Sequence, residues 1–263
     1  MAQSLKLPYT VHDGRGPYVL MLHGVLSSAA QWQLNLDALA QVCRPVIVEL
    51  WGHGHSPAPD DTNLYTPEAY ARQFDLIRQA LQVQTWIVCG YSLGAGLIMR
   101  YAMTHPAHVR GVIFTNSASA FASQDQVRRW QTDAPATAER ILEKGHAAIE
   151  KIPVHPKYAK RLPPAVKHAL LKDAAKLSPM GIANTLLHTN PAASVRDLVE
   201  DNPIPALLCF GKHERKFQPT RDWLIEHMPN LEHVDLEAGH AVNMEDHHGF
   251  NKATTAFIQA LTS

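Results

Sequence analysis

Ser92 lies at the centre of a pattern that can make a serine hydroxyl into a nucleophile. The pattern reads Gly90-Tyr91-Ser92-Leu93-Gly94, and it stands between the apolar run TWIVC and a helical pattern. A sharp turn from strand to helix projects the central side chain, so the residues two positions before and after it must be small. Gly90 and Gly94 meet that need. The sequence therefore predicts a nucleophile at Ser92, with a simple helix-capping serine as the alternative.

His240 is the predicted base, because a serine hydroxyl is a poor nucleophile unless a neighbouring group accepts its proton. The chain contains 16 histidines, most of which are expected to be surface or hydrogen-bonded structural residues. His240 alone combines a position after an apolar run, LEHVDL, with a preceding glycine and a following helical pattern. Active sites of open α/β sheets lie at the carboxyl ends of the strands, where this position falls. We predict that its imidazole takes the proton of Ser92.

The elements that must position these two residues alternate between short apolar runs and longer helical patterns. Continuous apolar runs rich in β-branched residues are typical of parallel strands that are covered on both faces. Helical patterns are predicted at about 28–42, 66–81 and 93–105, and the last is ended by Pro106. This alternation predicts an α/β fold with an open, doubly wound sheet. The six predicted strands are Tyr18–His23, Pro45–Leu50, Thr85–Cys89, Val109–Phe114, Pro205–Phe210 and Leu231–Leu236.

Residues 119–202 interrupt this alternation, because they contain helical patterns punctuated by prolines, Pro135 among them, and no convincing strand. A structureless loop of that length would be improbable in a compact domain. We therefore predict a small helical subdomain that is inserted after the fourth of these strands. The remaining residues, 1–118 and 203–263, are predicted to form the α/β core.

The composition argues against several classes of partner. Lys plus Arg number 24 and Asp plus Glu number 24, and this balance disfavours a dedicated binder of nucleic acid or of anionic membranes. No apolar stretch approaches the length of a membrane span, and the N-terminus lacks the apolar core of a signal peptide. The three cysteines lie in or beside apolar runs without a CxxC pair, which favours buried free thiols. We expect a soluble cytoplasmic protein that acts on a small molecule.

Five short motifs resemble, in type and in order, those of the α/β-hydrolase superfamily. They are LHG at 22–24, GHGHS at 52–56, GYSLG at 90–94, PALLCFG at 205–211 and AGH at 238–240. The resemblance covers nearly the whole chain and implies an α/β-hydrolase fold with a mostly parallel sheet. It also implies that residues 119–202 are the helical cap that this superfamily carries at the same point. It implies no cofactor.

The resemblance further implies a third catalytic residue, an acid in the loop after the next-to-last strand. Relatives usually have Asp in a GxxD pattern, and the matching position here is Glu214 in GKHE. Ser-His-Glu triads are an accepted variant, in which the carboxylate holds the imidazole in one tautomer. Some relatives place the acid after the strand VRGVIF, where this chain offers only Asn116 and Ser117. Asp235 and Glu237 are rival carboxylates, but they are disfavoured because they are close to the base in sequence.

For the oxyanion hole, the resemblance implies the backbone amides of Val25 and Leu93. A tight turn at LHG is the structural interpretation of the first motif, and both interpretations can hold together. Candidate substrate-binding side chains are Trp51, Tyr91, Phe121 and Trp130, with Met180 as a further apolar candidate in the cap. For Trp51, simple packing in the core is the competing interpretation.

His53 and His55 form an H-x-H pattern that a metal site can use. The surrounding stretch GHGHSPAPDD supplies no third histidine, and the family resemblance also accounts for this loop. We therefore predict no metal site here.

Together these features favour an esterase-like serine hydrolase that cleaves a small or medium carboxylic ester, thioester or lactone through an acyl-enzyme. The alternative keeps the triad and changes the reaction, because GKHERKF resembles a loop of the menaquinone-pathway 2-succinyl-6-hydroxy-cyclohexadiene-carboxylate synthases, which perform an elimination. Those relatives place an Arg soon after the nucleophile motif, whereas this chain has Gly96 and apolar residues there. Carbon–carbon bond hydrolases share the scaffold as well. A non-enzymatic receptor that retains the triad to sense a ligand is the third hypothesis.

Overall fold

The computed structural model describes residues 5–262 and contains a seven-stranded sheet. The first four residues of the segment considered above for a signal peptide lie outside this range. The strands are β1 (Tyr9–Val11), β2 (Tyr18–Leu22), β3 (Arg44–Val48), β4 (Trp86–Gly90), β5 (Val109–Thr115), β6 (Ala206–Gly211) and β7 (Leu231–Leu236). Their spatial order is β1-β3-β2-β4-β5-β6-β7, with β1 antiparallel to β3 and every other pair parallel. The predicted α/β class and all six predicted strands are confirmed.

Side chains on the two faces of the sheet enter two different apolar clusters. Along β2, Leu20 and Leu22 belong to one cluster, whereas Val19 and Met21 belong to the other. Successive side chains of a strand point to opposite faces, so a strand that is covered on both sides needs a continuous apolar run. This burial explains why the predicted strands showed no polar alternation.

The helices cover both faces of the sheet and fill the long interval between β5 and β6. The α-helices of residues 5–262 are α1 (Leu36–Leu39), α2 (Pro67–Ala80), α3 (Leu93–Thr104), α4 (Gln124–Lys144), α5 (His146–Ile149), α6 (Pro164–Ala174), α7 (Pro179–Asn184), α8 (Gln218–His227), α9 (Val242–Glu245) and α10 (His247–Ala260). Short 3₁₀ turns lie at Ala29–Trp32, Thr62–Tyr65, Pro106–His108, Pro156–Tyr158, Asn190–Ala192, Arg196–Asp201 and Arg215–Phe217, and a π-helical turn lies at Thr185–Thr189.

The helices predicted at 66–81 and 93–105 are confirmed as α2 and α3, but the one at 28–42 is wrong. That stretch contains a 3₁₀ turn and the single turn α1 instead. Asn35 stands between them, fully buried, and its side-chain amide donates to Asn243 O at 3.0 Å and to Asn251 Oδ1 at 2.8 Å. A short polar side chain that binds neighbouring elements competes with a continuous helix, and the periodicity of the sequence does not show those partners.

The edge strand β1 was not predicted. It is only three residues long and all three are exposed, so it offers no apolar run. Its backbone pairing with β3, from Tyr9 opposite Val48 to Val11 opposite Val46, holds it in place.

Between β5 and β6 the described chain contains helices and no strand. A third apolar cluster packs these helices against each other from Ala138 to Ala183 and includes Leu26 of the core. Phe121 and Val199, near the two ends of the interval, belong instead to a cluster of the sheet. The separately packed part is thus shorter than 119–202, whose bounds remain a prediction. Pro135, expected to interrupt a helix, lies inside α4.

The inserted helices contact the core where two glycines meet. A Cβ placed on Gly181 would lie 2.6 Å from the Cα of Gly52, so neither position has space for a side chain. Ser178 N donates to Gly52 O at 2.9 Å, and Ser28 Oγ donates to Asp173 Oδ2 at 2.7 Å. These contacts hold the helical insertion over the carboxyl edge of the sheet.

The three cysteines are buried and unpaired, as predicted. Burial raises the pKa of the Cys43 and Cys209 thiols to about 12 and raises that of Cys89 as well. Within residues 5–262, no helix is both long enough and apolar enough to cross a membrane.

Candidate active site

Ser92 occupies a tight turn between β4 and α3, where its backbone has a positive φ of 53°. Such left-handed backbone is rare outside glycine and persists only where the surrounding structure fixes it. A Cβ on Gly90 would lie 2.6 Å from Gly94 O, and one on Gly94 would lie 2.5 Å from His23 O. Ser117 Oγ also donates to Ser92 O at 2.6 Å. Close backbone packing therefore requires both flanking glycines and projects the Ser92 side chain.

Ser92, His240 and Glu214 form one hydrogen-bonded chain. His240 Nε2 lies 3.0 Å from Ser92 Oγ, and His240 Nδ1 lies 3.0 Å from each carboxylate oxygen of Glu214. Because an ionised carboxylate only accepts hydrogen bonds, Nδ1 carries the proton and Nε2 accepts from the serine hydroxyl. The three side chains follow β4, β7 and β6, so the parallel sheet brings them to one edge. This arrangement has the geometry for proton transfer from the hydroxyl to the imidazole.

Asn116 holds Glu214 in place, a role that the sequence did not reveal. Its Nδ2 donates to Glu214 Oε2 at 2.8 Å and to Gly211 O at 3.1 Å, and its Oδ1 accepts from Gly211 N at 2.9 Å. Burial raises the pKa of Glu214, but the hydrogen bonds and charge of His240 and the bond from Asn116 outweigh it and lower the pKa. The carboxylate is therefore ionised at neutral pH. Asn116 stands where some relatives carry the acid itself, and this position is the one sign in the sequence that its side chain lies near the triad.

The two rival carboxylates face elsewhere. Both oxygens of Asp235 accept from Arg221, at 2.7–3.1 Å. Glu237 forms ion pairs with Lys212 and His213. Neither carboxylate has a hydrogen bond to His240, whereas both oxygens of Glu214 lie 3.0 Å from its Nδ1.

Val25 and Leu93 carry backbone amides that donate to no protein acceptor within residues 5–262. Leu93 is the first residue of α3, where an amide has no intrahelical partner. The loop of Val25 packs against Tyr91 and Ser92, because a Cβ on Gly24 would lie 2.8 Å from the Tyr91 ring and 3.0 Å from Ser92 Cβ. The structure thus keeps both predicted oxyanion donors beside Ser92.

Two buried histidines support that loop from the interior. His23 Nδ1 donates to Gly24 O at 2.8 Å and its Nε2 accepts from Leu50 N at 3.1 Å. His53 Nδ1 donates to Trp51 O at 2.9 Å and its Nε2 accepts from Leu26 N at 3.2 Å. Burial lowers the pKa of His23 to about 4 and that of His53 to about 3. Both rings are therefore neutral at pH 7 and can serve as acceptors.

The H-x-H pattern is divided between two environments. His53 uses both ring nitrogens on backbone groups, whereas the exposed His55 lies 3.5 Å from a Glu49 oxygen and accepts from Lys176 Nζ at 3.0 Å. In the part of the chain that the structure describes, no three His, Cys, Asp or Glu side chains converge in a way that could hold a metal ion.

A family model described as the alpha/beta hydrolase fold matches residues 17–247, which is most of the chain. The chain belongs to the α/β-hydrolase family. The resemblance drawn from the five sequence motifs is thereby confirmed. So is the fold class, since the seven-stranded sheet has the mostly parallel topology expected for it.

Relatives of this α/β-hydrolase are named for different reactions. A Bacillus subtilis (strain 168) protein, provisionally named as a 2-succinyl-6-hydroxy-2,4-cyclohexadiene-1-carboxylate synthase, is 24% identical over 250 residues, covering 92% of this chain and 90% of the relative. A pimeloyl-[acyl-carrier protein] methyl ester esterase of Vibrio atlanticus (strain LGP32) is 27% identical over 258 residues, covering 94% and 96%. Among solved structures, MenH from S. aureus superposes with a TM-score of 0.84 at 17% identity over 97% of this chain and 99% of that one, which shows a shared fold.

A cavity of about 430 Å³ opens beside Ser92 and His240 under the inserted helices. Its size lies within the range of sites for small molecules. Among the described residues no Lys or Arg lines it, whereas two carboxylates do, those of Glu214 and Glu245. Glu245 is 11% exposed and accepts from Gly239 N at 2.7 Å. The cavity wall therefore carries negative charge.

The structure places two of the four predicted substrate-binding side chains at this cavity. Tyr91 and Trp130 line it. Trp51 and Phe121 are buried in the apolar cluster of the sheet and reach neither cavity beside Ser92, so their prediction as substrate contacts is corrected. Both were predicted from their aromatic character and their position in the sequence. Neither property shows whether a side chain packs in the core or lines a cavity. Met180, half-buried, lines neither cavity.

A second, smaller cavity of about 50 Å³ also borders Ser92 and His240 and shares part of its wall with the larger one. Its wall is mostly apolar and comes from both the core and the inserted helices. The apolar side chains that line it are Val25, Leu26, Val154, Pro156, Ala159, Leu162, Leu170, Ala241 and Met244.

Sequence analysis missed several polar residues of the larger cavity, among them His155, Asn190 and Glu245. His155 Nδ1 accepts from Lys157 N at 3.2 Å, so in the neutral ring Nε2 carries the proton. Burial, together with the charge of Lys157, lowers the pKa of His155 and favours that neutral form. The pattern HPK, in which a histidine caps a 3₁₀ turn, gives no sign that the ring borders a cavity.

Proposed function

We propose that this protein is a serine hydrolase that cleaves a carboxylic ester, thioester or lactone through an acyl-enzyme. The hydrogen-bonded chain from Ser92 through His240 to Glu214 is the observation that carries the proposal. It supplies a nucleophile, a base and an orienting carboxylate in one place. The α/β-hydrolase family, with its esterase relatives, supports the same reaction class.

In the first step Ser92 Oγ attacks the carbonyl carbon of the substrate while its proton passes to His240 Nε2. The carbonyl π electrons move onto the oxygen, and the amides of Val25 and Leu93 stabilise the resulting negative charge. Glu214 stabilises the imidazolium and keeps the ring in the tautomer that accepts at Nε2.

In the second step the tetrahedral intermediate collapses, the bond to the leaving group breaks, and His240 Nε2 returns its proton to the leaving oxygen or sulfur. A water molecule then loses a proton to His240 and attacks the acyl carbon. The acid product leaves, and Ser92 regains its proton. No metal ion or cofactor is needed for this sequence of steps.

The two unequal cavities favour a substrate with two unequal substituents on the scissile group. The cavity of about 50 Å³ fits a short apolar group, and the cavity of about 430 Å³ fits the rest of the molecule. One additional methylene in a tight apolar pocket changes kcat/KM by about 10- to 200-fold. A series of esters with lengthening alkyl groups should therefore show a sharp limit on one side of the carbonyl. Leu170→Val should move that limit by one carbon, whereas Leu171→Val, at an exposed neighbour, should leave it unchanged.

The elimination reaction remains the second candidate, because a relative over nearly the whole chain is named as the cyclohexadiene-carboxylate synthase. The product for which that relative is named carries carboxylates. An elimination cannot introduce them, so its substrate carries them too, whereas the larger cavity here is lined by carboxylates and by no described Lys or Arg. Like charges in a partly buried site repel, so the cavity disfavours such a substrate. Turnover of the synthase substrate at a kcat/KM above that for every ester would reverse this preference.

The direct test is labelling with a fluorophosphonate probe, combined with ester kinetics on Ser92→Ala. We expect labelled wild type, an unlabelled variant, and a loss of about 10⁵–10⁶ in kcat, as for nucleophile removal in other serine hydrolases. Ser119→Ala, which removes another hydroxyl of the same cavity, is the matched control and should still be labelled. Equal labelling of wild type and Ser92→Ala would exclude Ser92 as the nucleophile.

A further inference from the structure

One stretch of the inserted helices concentrates positive charge in a chain that is neutral as a whole. Residues 144–176 contain eight Lys and Arg but only two Asp and Glu, a net formal charge of +6, whereas the full chain balances 24 against 24. The cationic residues are Lys144, Lys151, Lys157, Lys160, Arg161, Lys167, Lys172 and Lys176. The remainder of the chain therefore carries a compensating negative charge. A local excess of this size attracts anions even though the net charge is zero.

This positive surface reaches the mouth of the larger cavity. Lys157 Nζ lies 5.1 Å from the ring centroid of Tyr158, which lines the cavity. Lys167 Nζ donates at 2.7 Å to the carbonyl of Ala159, another lining residue. The largely exposed Arg161 lies 3.9 Å from Glu245 of the cavity wall. The cations therefore border the opening, while the wall inside has none among the described residues.

Four of these eight cations form no hydrogen bond or ion pair in the part of the chain that the structure describes, namely Lys144, Lys151, Lys160 and Lys172, and the middle two flank Tyr158 in the sequence. Lys151 and Lys160 are exposed, and neither ammonium group forms a hydrogen bond or ion pair there. Lys157, by contrast, pairs with Glu150 at 3.2 Å, and Lys176 pairs with Asp173 at 2.9 Å. Lys151 and Lys160 are thus available to an external anion.

Tyr158 adds a flat apolar ring beside Lys157. It is 49% exposed although it is large and aromatic, and Val154 beside it is 48% exposed. An exposed aromatic ring among cations suits a planar base joined to phosphate groups, because the base can stack while the phosphates pair with lysines.

We propose that the surface formed by Lys151, Lys157, Tyr158, Lys160 and Arg161 binds the phosphorylated adenosine end of an acyl thioester, the chemistry of coenzyme A. The proposal rests on the proposed hydrolase function and specifies its substrate class. The acyl end, with its thioester, enters the larger cavity, whose wall has no described Lys or Arg, and reaches Ser92. The phosphates remain outside and pair with the lysines. The uncharged acyl end of such a substrate suits the cavity, and its negatively charged phosphates suit the cationic rim.

The first test measures binding, so it does not depend on turnover. Desulfo-coenzyme A is titrated calorimetrically into Ser92→Ala and into the same protein with Lys151→Glu and Lys160→Glu. We expect the double charge reversal to raise Kd at least tenfold. The matched control, Lys6→Glu with Lys252→Glu, makes the same change in net charge at exposed positions outside this surface and should leave Kd within twofold. Raising NaCl from about 50 to about 300 mM should weaken binding to Ser92→Ala but have little effect on the double charge reversal.

The second test compares the hydrolysis of butyryl-coenzyme A with that of S-butyryl-N-acetylcysteamine, which has the same thioester and no nucleotide. We expect wild type to favour the coenzyme A thioester at least tenfold in kcat/KM, and the double charge reversal to lose that preference while keeping its rate on the short thioester. Equal kcat/KM values in wild type, or a preference that survives the charge reversal, would overturn the proposal.

The two tests separate this proposal from the hydrolase function on which it rests. If simple esters are hydrolysed but desulfo-coenzyme A does not bind, the hydrolase function stands and the coenzyme A surface is wrong. If desulfo-coenzyme A binds as expected but no ester or thioester is turned over, the hydrolase function fails and the surface stands as a binding site only. Binding to phosphatidylglycerol vesicles that requires Lys151 and Lys160, without binding of desulfo-coenzyme A, would assign the surface to a membrane and overturn the proposal.

Discussion

His240 and the pair formed by His23 and His53 share a residue type and the neighbourhood of one loop, yet their surroundings differ. The His240 side chain is 32% exposed, borders both cavities, and contacts other side chains through both ring nitrogens. His23 and His53 are completely buried and bind only backbone groups. Ring nitrogens with access to a cavity can exchange protons with a substrate, whereas sealed ones can only hold the backbone. The exposure of a histidine and the type of its hydrogen-bond partners therefore distinguish a ring that can exchange protons with a substrate from one that only supports the backbone.

Substitutions of Glu214, the partner of His240, should have the largest effect on turnover. Glu214→Gln keeps the shape but removes the charge that stabilises the imidazolium, so we expect kcat to fall by about 10²–10⁴ with little change in KM. Glu214→Asp should retain measurable activity, because it restores a carboxylate at a shorter reach. Steady-state kinetics with one ester measure both.

Asp235→Asn and Glu237→Gln are the controls, since those carboxylates bind other side chains. Both variants should stay within a few-fold of wild type. Collapse of either one, combined with an active Glu214→Gln, would show that the acid has been assigned to the wrong residue.

His23 and His53 should affect the pH dependence of the free energy of unfolding rather than turnover. Their pKa values are lowered by burial to about 4 for His23 and about 3 for His53, below an unfolded value near 6.5. The unfolded chain therefore binds more protons at acid pH, so stability is complete above about pH 6.5 and falls as the pH drops towards 4. Below pH 6.5, each histidine that is neutral in the folded protein and protonated in the unfolded chain should lower the free energy of unfolding by about 1.4 kcal/mol per pH unit. Urea unfolding at pH 7, 6 and 5 measures this slope.

His53→Gln sharpens that prediction, because the amide can still accept from Leu26 N but does not titrate. The slope between pH 6 and 5 should decrease by about one proton equivalent. His168→Gln, on the exposed side of α6, is the matched control and should leave the slope unchanged. Equal slopes in both variants would show that His53 is not neutral in the folded protein.

Asn116 supplies the smallest of these effects, because it acts through Glu214 and not on the substrate. Asn116→Ala removes the 2.8 Å hydrogen bond to the carboxylate, and a bond to a charged group contributes about 1.5–3 kcal/mol. We expect kcat to fall by about 10- to 100-fold, and the pKa of the Glu214 carboxyl, followed by carbon NMR, to rise because the carboxylate loses this hydrogen bond.

Asn202→Ala is the matched control for lost buried bonds, since its amide donates to Ile204 O at 2.7 Å and to Pro229 O at 3.1 Å away from the site. It should lower stability without changing the pKa of Glu214. An unchanged pKa of Glu214 in Asn116→Ala would show that Asn116 has only a structural role.

The sequence was informative where the chemistry depends on local backbone and uninformative where it depends on distant partners. The tight turn at Ser92 was predicted correctly because it demands small residues at fixed spacing. The strands were predicted correctly because double burial requires continuous apolar runs. The contact of Asn116 with Glu214 could not be predicted in this way, because the two residues lie 98 positions apart in the chain. The failed helix at 28–42 has the same cause, because Asn35 binds residues more than 200 positions away. Trp51 was misplaced because aromatic character alone does not distinguish a core residue from a cavity wall.

The sealed cysteines have a practical consequence for work on this enzyme. With pKa values near 12 at Cys43 and Cys209, and all three thiols shielded from solvent, almost no thiolate is available at neutral pH. Electrophilic probes aimed at serine should therefore meet no competing sulfur nucleophile in the folded protein. A single cysteine introduced on the surface of the inserted helices would accept a fluorophore at one position only, and its signal would report on ligand entry without background from the native thiols.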